Sequence, residues 1–462
     1  MSGTLSSLNT ALSALRYNRV AMDAASHNIA NVSTEGYNRR RADGESLGAP
    51  TVPARWSRYE GAGAGVRMAG ITRMNDALLD ARSRTEHSSL SYLQLRATAL
   101  ARMESGVGEP GDAGVSAALA DFRSAWQDVA NDPAGAAARG QVLARAEALA
   151  AAFSSQSANV AAETATQRLS LQGTVSEVNT LAVELAETNR ALATAKLDGV
   201  DTSDLADQRD LLGQRLAQLT GGVGLVQPDG ALNVDVAGVA LVSGITAGRL
   251  EITTGVTPTG GSDGQPVTLS ITTGATTTPL TAGVRGEVGA STDLLNTTLP
   301  AYAAGLDAVA KDLADTVNAA HTSGFDQDGN PGLAFFTYDP ANPAASLTVN
   351  VTNRQVAASS LPGGALDGSN ADAIGTAGTA EGAYQRLVNG FGTEVASAQR
   401  LVRTQSLLTN QVDAAREQLG GVNLDEETVA MLTAQRAYEA AARVMSVMDS
   451  VLDTLINRTG VG

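Results

Sequence analysis

The chain has 462 residues, with 32 lysines and arginines against 48 aspartates and glutamates, for a net charge of −16. That excess of acid argues against a general nucleic-acid binder and against adhesion to anionic membranes, both of which need a basic face. Cysteine is absent and aromatic residues make up only 3%, so there is no disulfide or thiolate chemistry. The core must be built from Leu, Val and Ala, which suits long helices packed side by side better than a large enzyme core.

No stretch is apolar enough to span a bilayer. The first residues lack the basic n-region and apolar h-region of an ordinary cleaved signal, so none is expected. Zero cysteine also suits a chain that crosses an export machine unfolded.

At the N-terminus Leu5, Leu8, Leu12, Leu15, Met22 and Ile29 fall on a 3-4 grid, with Arg19 and Ser26 in the skipped positions. This spacing predicts a helix with a narrow apolar seam of the coiled-coil kind. Arg39-Arg40-Arg41 reads as a solvated or subunit-contact patch. From about Ala42 to Ile71 the chain reads as irregular, with Pro50, Pro53 and the run Glu60-Gly61-Ala62-Gly63-Ala64-Gly65-Val66 as turns and short extended pieces. That run is a poor nucleotide loop, because Gly63-x-Gly65-x-x-Met68 lacks the third glycine and no βαβ unit surrounds it.

Helix is predicted from Asn75 to about Glu104 and again from Val115 to Asn131, where Leu119, Phe122, Trp126 and Val129 share a face. No proline occurs from Ala134 to Gln227, and the spacing of Leu169, Val175, Val178, Leu181 and Leu185 predicts one very long helix. A turn at Asp198-Gly199-Val200-Asp201 separates it from a shorter helix over Leu205 to Leu219. After Gly221, alternation at Leu232, Val234, Val236 and at Val267, Leu269, Ile271 predicts short antiparallel strands. Helix returns from Ser291, with Tyr302, Leu306, Val309, Leu313 and Val317 on one stripe. Leu347 to Val351 reads as one more strand, and Tyr384, Val388, Phe391, Val395, Val402, Val412 and Leu419 mark another long helix.

The last helix repeats the 3-4 spacing through Met431, Ala434, Tyr438, Ala441, Met445, Met448, Leu452 and Leu455. Asn423 caps it with Glu426 three residues on. Asp425, Glu426 and Glu427 sit in its positive first turn, and Arg458 in its negative last turn. Gly460 stops it. Burying one Leu or Met knob is worth roughly 1.5–3 kcal/mol. Two single stripes at opposite ends therefore predict pairing with each other, with another subunit, or both; the alternative is that each packs on a globular core.

The expected architecture is mainly α with a small β subdomain. Residues 1–45 with 422–462 form a paired terminal coiled coil, and 46–221 with 287–325 and 375–421 a bundle of long helices. Residues 222–286 form an inserted antiparallel β subdomain, and 326–374 a loop and short strand.

Little in the chain asks to be called catalytic. His27, His87 and His321 are scattered, and no zinc-ligand spacing exists. Asp326-Gln327-Asp328-Gly329-Asn330 begins like a calcium loop, but Pro331 and Thr337 stand where such a loop needs Gly and Glu, so a tight turn is expected. No Gly-x-Ser-x-Gly elbow appears. Catalytic residues, metal ligands and cofactors are all expected to be none.

Ser26-His27-Asn28-Ile29-Ala30-Asn31-Val32-Ser33-Thr34-Glu35-Gly36-Tyr37 resembles the N-terminal signature of bacterial flagellar rod, hook and hook-associated proteins. Val422 to Glu427, with Ala434 to Val444 and Leu452 to Asn457, resembles their C-terminal signature. Asp204-Leu205-Ala206-Asp207-Gln208-Arg209-Asp210-Leu211-Leu212 and Ala319 to Asp326 resemble motifs of the members that join hook to filament, and Asp121-Phe122 through Asn131-Asp132-Pro133 to Arg139 is similar as well. The resemblance implies a non-enzymatic junction subunit, exported by the type III apparatus to the extracellular flagellum. It implies that Leu5, Leu8, Leu12, Leu15, Met22, Ile29, Asn31, Met431, Tyr438, Met445, Met448, Leu452 and Leu455 meet subunits and partners. The partners would be further copies of the chain in a ring or helical layer, the hook protein, a second junction protein, and a chaperone on the C-terminal helix. Longer family members carry an extra outward β domain after the Gly-Phe-Asp loop; about ten residues separate Phe336 from Leu347 here, so that domain is absent or vestigial. A hook or distal rod protein is the sibling alternative, against which the long helical middle argues. A wall-lytic enzyme on a flagellar scaffold would need an acidic or Ser/His site that the sequence does not offer.

Overall fold

The computed structural model describes residues 2–48, 65–111, 114–281, 283–364 and 366–454, and of residues 2–6 the helical backbone alone. Pro50, Pro53, Gly61, Gly63, Leu455, Arg458 and Gly460 lie outside the described residues.

Helix α1 (Ser2–Ala30) leads into an antiparallel pair, β1 (Arg40–Leu47) and β2 (Gly65–Arg73). Four helices follow: α2 (Ala77–Val107), α3 (Val115–Asn131), α4 (Ala136–Leu197) and α5 (Ser203–Thr220). A four-stranded sheet holds β3 (Val223–Val226), β4 (Leu232–Val236), β5 (Val239–Ser243) and β6 (Thr246–Ala247). A three-stranded sheet holds β7 (Arg249–Thr254), β8 (Thr268–Thr273) and β9 (Thr276–Leu280). Then come α6 (Gly286–Asp293), a π-turn (Leu294–Thr298) and α7 (Leu299–Ser323). Short β10 (Phe336–Thr337), α8 (Pro343–Ser346), β11 (Thr348–Val349) and α9 (Ser369–Thr376) precede α10 (Ala380–Gly420) and α11 (Leu424–Asp453). The chain is mainly α with small antiparallel sheets, as the periodicities predict.

Local chemistry sets these boundaries. Asp76 caps α2 by accepting from the amides of Leu78 and Leu79 at 2.7 and 3.1 Å. Helix α5 ends at Gly221, whose φ of 70° is left-handed and whose missing Cβ leaves room for Arg285. The 62 residues of α4 make a rod about 90 Å long at 1.5 Å per residue. Two of its asparagines hold the sheets as a neighbouring strand would. Asn189 brackets Leu232, donating to its carbonyl at 3.0 Å and accepting from its amide at 2.9 Å. Asn179 does the same to Leu250 at 2.9 and 2.8 Å.

Helices α2, α4, α7 and α10 form the bundle, with Gln156 of α4 donating to the hydroxyls of Tyr302 and Tyr384 at 3.1 and 3.0 Å in its centre. One end of the core gathers the few aromatics: Phe122, Trp126, Phe335 and Phe336 stack with centroids 4.8–6.2 Å apart. The other end joins α2, α4 and α5 to the β sheets through Leu100, Leu185, Leu216, Leu232 and Val242.

The stretch after α1 differs from the expectation of irregular chain. Arg40 to Leu47 and Gly65 to Arg73 pair in register apart from one shift at Asp43/Gly44. Their inner face lies on α1 through small and polar groups: the amide of Val66 donates to Ser13 Oγ at 3.2 Å, and Tyr17 donates to the Ala42 carbonyl at 3.3 Å. An apolar alternation is therefore missing from a genuine hairpin. The strand expected over Leu347 to Val351 shrinks to Thr348–Val349, paired with β10. The Asp326 loop is a tight turn as predicted, with Asp326 Oδ1 accepting from the amides of Asp328 and Asn330.

His321 is fully buried against Trp126 and Phe335. Its Nδ1 donates to the Leu333 carbonyl at 2.6 Å and its Nε2 accepts from the Ala357 amide at 2.9 Å, so the ring is neutral. Burial pulls its pKa from 6.5 down to about 4. Protons therefore bind the unfolded chain first, and the stability His321 contributes is complete above pH 6.5 and lost as pH falls toward 4. Thermal unfolding scanned across that window should show the loss, and His321→Gln should flatten it; an unchanged slope contradicts the assignment.

Candidate assembly surface and its polar base

Helices α1 and α11 pack on each other more extensively than any other two elements. They run antiparallel, since Asn28 near the end of α1 meets Glu427 at the start of α11. Leu8, Leu12, Leu15, Met22 and Ile29 are each half-buried, and so are Met431, Met445, Met448 and Leu452. Ala434 is buried on the same stripe. Leu5 lies in α1, where only the backbone is described, and Leu455 lies beyond the described residues. Tyr438 is exposed. Asn31 shapes the exit of α1, donating to the His27 carbonyl at 3.0 Å and accepting from Thr34 Oγ at 3.1 Å.

The pairing leaves a second apolar stripe uncovered. Val429, Leu432, Val444, Val447 and Val451 are all exposed on α11. At 100° per residue they lie roughly a quarter to a half of a turn from the paired stripe, on a face where the exposed Arg436 and Arg443 separate Val429 and Leu432 from Val444, Val447 and Val451.

The base of this pair is a buried polar knot. Asn28 is 1% exposed and uses every group it has. Its Nδ2 donates to Glu427 Oε2 at 2.8 Å and to the Arg40 carbonyl at 2.9 Å. Its Oδ1 accepts from the Arg40 amide at 2.9 Å and the Tyr37 hydroxyl at 2.7 Å. Arg39 pairs with Glu427 at 2.7 Å and Glu426 at 3.2 Å. Arg40 turns the other way, pairing with Asp204 and, at 3.5 Å, with Asp207 of α5. Arg73 at the end of β2 reaches Asp207 and Asp210, each at 2.7 Å, and Arg209 holds Asp210 at 2.6 Å.

Burial raises the Tyr37 hydroxyl to about 12, with Arg40 opposing. For Arg40, burial pulls the pKa down, but the hydrogen bond it donates to Asp204 and the charges of Tyr37, Asp204 and Asp207 outweigh it, so the net shift is upward. Arg73 behaves alike through Asp210 and Asp207. Both guanidiniums stay charged, and the knot is a fixed electrostatic joint. Among the described residues no cluster of His, Asp or Glu could hold a metal ion, and no helix is long and apolar enough to cross a membrane.

Arg40 corrects the expectation of a solvated or subunit-contact patch: it is 6% exposed, lies over the Tyr37 ring at 5.1 Å, and is paired with Asp201, Asp204 and Asp207. The missed signal lies in α5, where Asp204, Asp207 and Asp210 recur every third residue on one helix face. Three of the motifs singled out in the sequence, far apart in the chain, meet at this one place.

The family profile described as flagellar hook-associated protein FlgK helical domain matches residues 100–336. The chain belongs to the flagellar hook-associated FlgK family. Its role is therefore structural, in the flagellum. A profile described as flagella basal body rod protein matches residues 8–38, and one described as flagellar basal body rod FlgEFG protein C-terminal matches residues 420–458. The polar knot is thus where both rod-type segments meet the FlgK helical domain. The chain is 27% identical over its whole length to flagellar hook-associated protein 1 of Bacillus subtilis, and covers all of that relative. It is 26% identical to flagellar hook-associated protein 1 of Escherichia coli over 53% of this chain and 44% of that one. The fold is similar, with a TM-score of 0.64, to the flagellar hook junction protein FlgK of Burkholderia pseudomallei, over 73% of this chain and 99% of that one at 16% identity.

Replacing Asn28 by Ala removes the partner of Glu427 Oε2, of the Tyr37 hydroxyl and of both backbone groups of Arg40. The expected loss is about 1–3 kcal/mol, read as amide exchange roughly 10- to 100-fold faster across α1 and α11, with α4 unchanged. Unaltered exchange in the terminal helices contradicts the joint.

Proposed function

We propose that this chain is a structural subunit of the bacterial flagellum that joins hook to filament, polymerising through its terminal helices after type III export. The observation that carries this reading is the uncovered stripe of Val429, Leu432, Val444, Val447 and Val451 beside an already paired seam. An apolar stripe in water on a helix already supported by a partner is a surface kept for neighbours. Copies of the chain cover it in the assembled layer, with Leu8, Leu12, Leu15, Met22 and Ile29 of α1 and Met431, Tyr438, Met445, Met448 and Leu452 of α11 as the working surface. Before assembly, a chaperone on the C-terminal helix covers the same apolar side chains.

The neighbours along the axis are hook protein on one side and a second junction protein on the other. The protein acts outside the cell, without nucleic acid and without membrane insertion. The terminal pair forms an inner layer, the bundle of α2, α4, α7 and α10 an outer one, and strands β3 to β9 lie beyond it. The role is mechanical and needs no catalytic site. The match to the FlgK helical domain favours this over a hook or distal rod protein.

Deleting residues 423–462 should leave a soluble, folded bundle, because its cores use no residue of α11. That protein should fail to enter the flagellum. Helical circular dichroism with recovery of the protein from sheared flagella checks both halves; a truncated chain that still assembles sinks the proposal.

A further inference from the structure

The bundle has two opposite outer faces of unlike chemistry. Helices α4 and α10 each pack on both α2 and α7, and they meet each other across the centre through Tyr384, which reaches Gln156 and Phe153. They are diagonal members of the bundle, so their outward faces point in opposite directions.

The outward face of α10 is basic and partly apolar. From Gln385 to Gln411 its exposed residues include no carboxylate, in a chain of net charge −16. Arg386, Arg400 and Arg403 are exposed there, and no ion pair holds them among the described residues. Glu394, the acid within that span, is turned inward onto Arg96. Leu407 stands on the same face with 71% of its surface in water.

The outward face of α4 is the complement. Glu147, Glu184 and Glu187 are exposed, again without an ion pair among the described residues, and so is one cation beside them, Arg190. Along the same face Ala144, Ala148, Ala151, Ser155 and Ala158 offer nothing that would hold another helix away.

We infer that α10 of one copy seats laterally on α4 of the next, arginines toward glutamates, with Leu407 against the alanines. The inference rests on the junction role proposed above and names the partner surface for the bundle layer. A ring or tube of identical subunits pointing one way needs a heterologous contact between two different patches. The two opposite faces of this bundle supply such a pair, and their charge complementarity selects a second copy as occupant.

The absence of native cysteine makes the test clean. Leu407→Cys, Thr404→Cys or Thr393→Cys on α10 is combined in one full-length chain with Ala144→Cys, Ala151→Cys or Ala158→Cys on α4. The chains are expressed in cells that build flagella and oxidised after assembly. At least one combination should give a ladder of cross-linked multimers on a non-reducing gel, while each single-cysteine chain stays monomeric. Incorporation into flagella with no α10–α4 cross-link in any combination overturns this interface and leaves the junction role standing. Chains carrying surface cysteines that never enter flagella, where the native chain does not enter either, overturn both.

Discussion

Four arginines and five carboxylates, drawn from the exit of α1, the hairpin, α5 and the start of α11, interlock around one asparagine. Arg40, Asp207, Arg209, Asp210 and Glu427 are buried, while Asp204 and Glu426 stay in water; taking a charge out of water costs several kcal/mol per ion, repaid only by good pairing geometry and hydrogen bonds. Removing one partner typically costs about 3–5 kcal/mol, because an opposite charge is left buried alone. The joint is therefore weak as a source of bulk stability and strong as a source of position. It fixes where the terminal pair leaves the bundle, and everything that pair presents to neighbours depends on that exit.

The rest of the structure supplies length and stiffness. With so few aromatics the bundle relies on close Leu, Val and Ala contacts along α2, α4, α7 and α10. The aromatic cluster around Trp126 sits at one end of the core with His321. Asn179 and Asn189 fasten the sheets to α4 by backbone brackets, so the β subdomain rides on the longest rod of the molecule. Outside these cores, the unused apolar stripe on α11 and the unlike faces of α4 and α10 are surfaces with no role inside the monomer.

Where the sequence carried a period, it was read well. Val115 to Asn131 is helical over the span its stripe predicts, and the proline-free run after Ala134 is the long helix α4. The 3-4 grids at the two ends correspond to the two helices that pair. Features without a period were not legible. The β1–β2 hairpin rests on Ser13 and Tyr17 of α1, and so shows no apolar alternation. Arg40 looked solvated within a run of three like charges because its partners lie more than 160 residues away in α5. Asn28 and Glu427 sit 399 positions apart, and neither side chain alone indicates burial. His321 lies in a stretch that resembles a family motif, yet its chemistry is that of a satisfied core histidine.

A double-mutant cycle across Arg40 and Asp207 measures the joint itself. Arg40→Gln, Asp207→Asn and the pair are compared by denaturant unfolding of the full chain, followed by a probe on α11. If the joint is a coupled buried network, the two losses are non-additive, with a coupling of about 1–3 kcal/mol. Losses that sum to within about 0.5 kcal/mol mean that Arg40 and Asp207 act independently, and the terminal pair is then positioned by something other than this network.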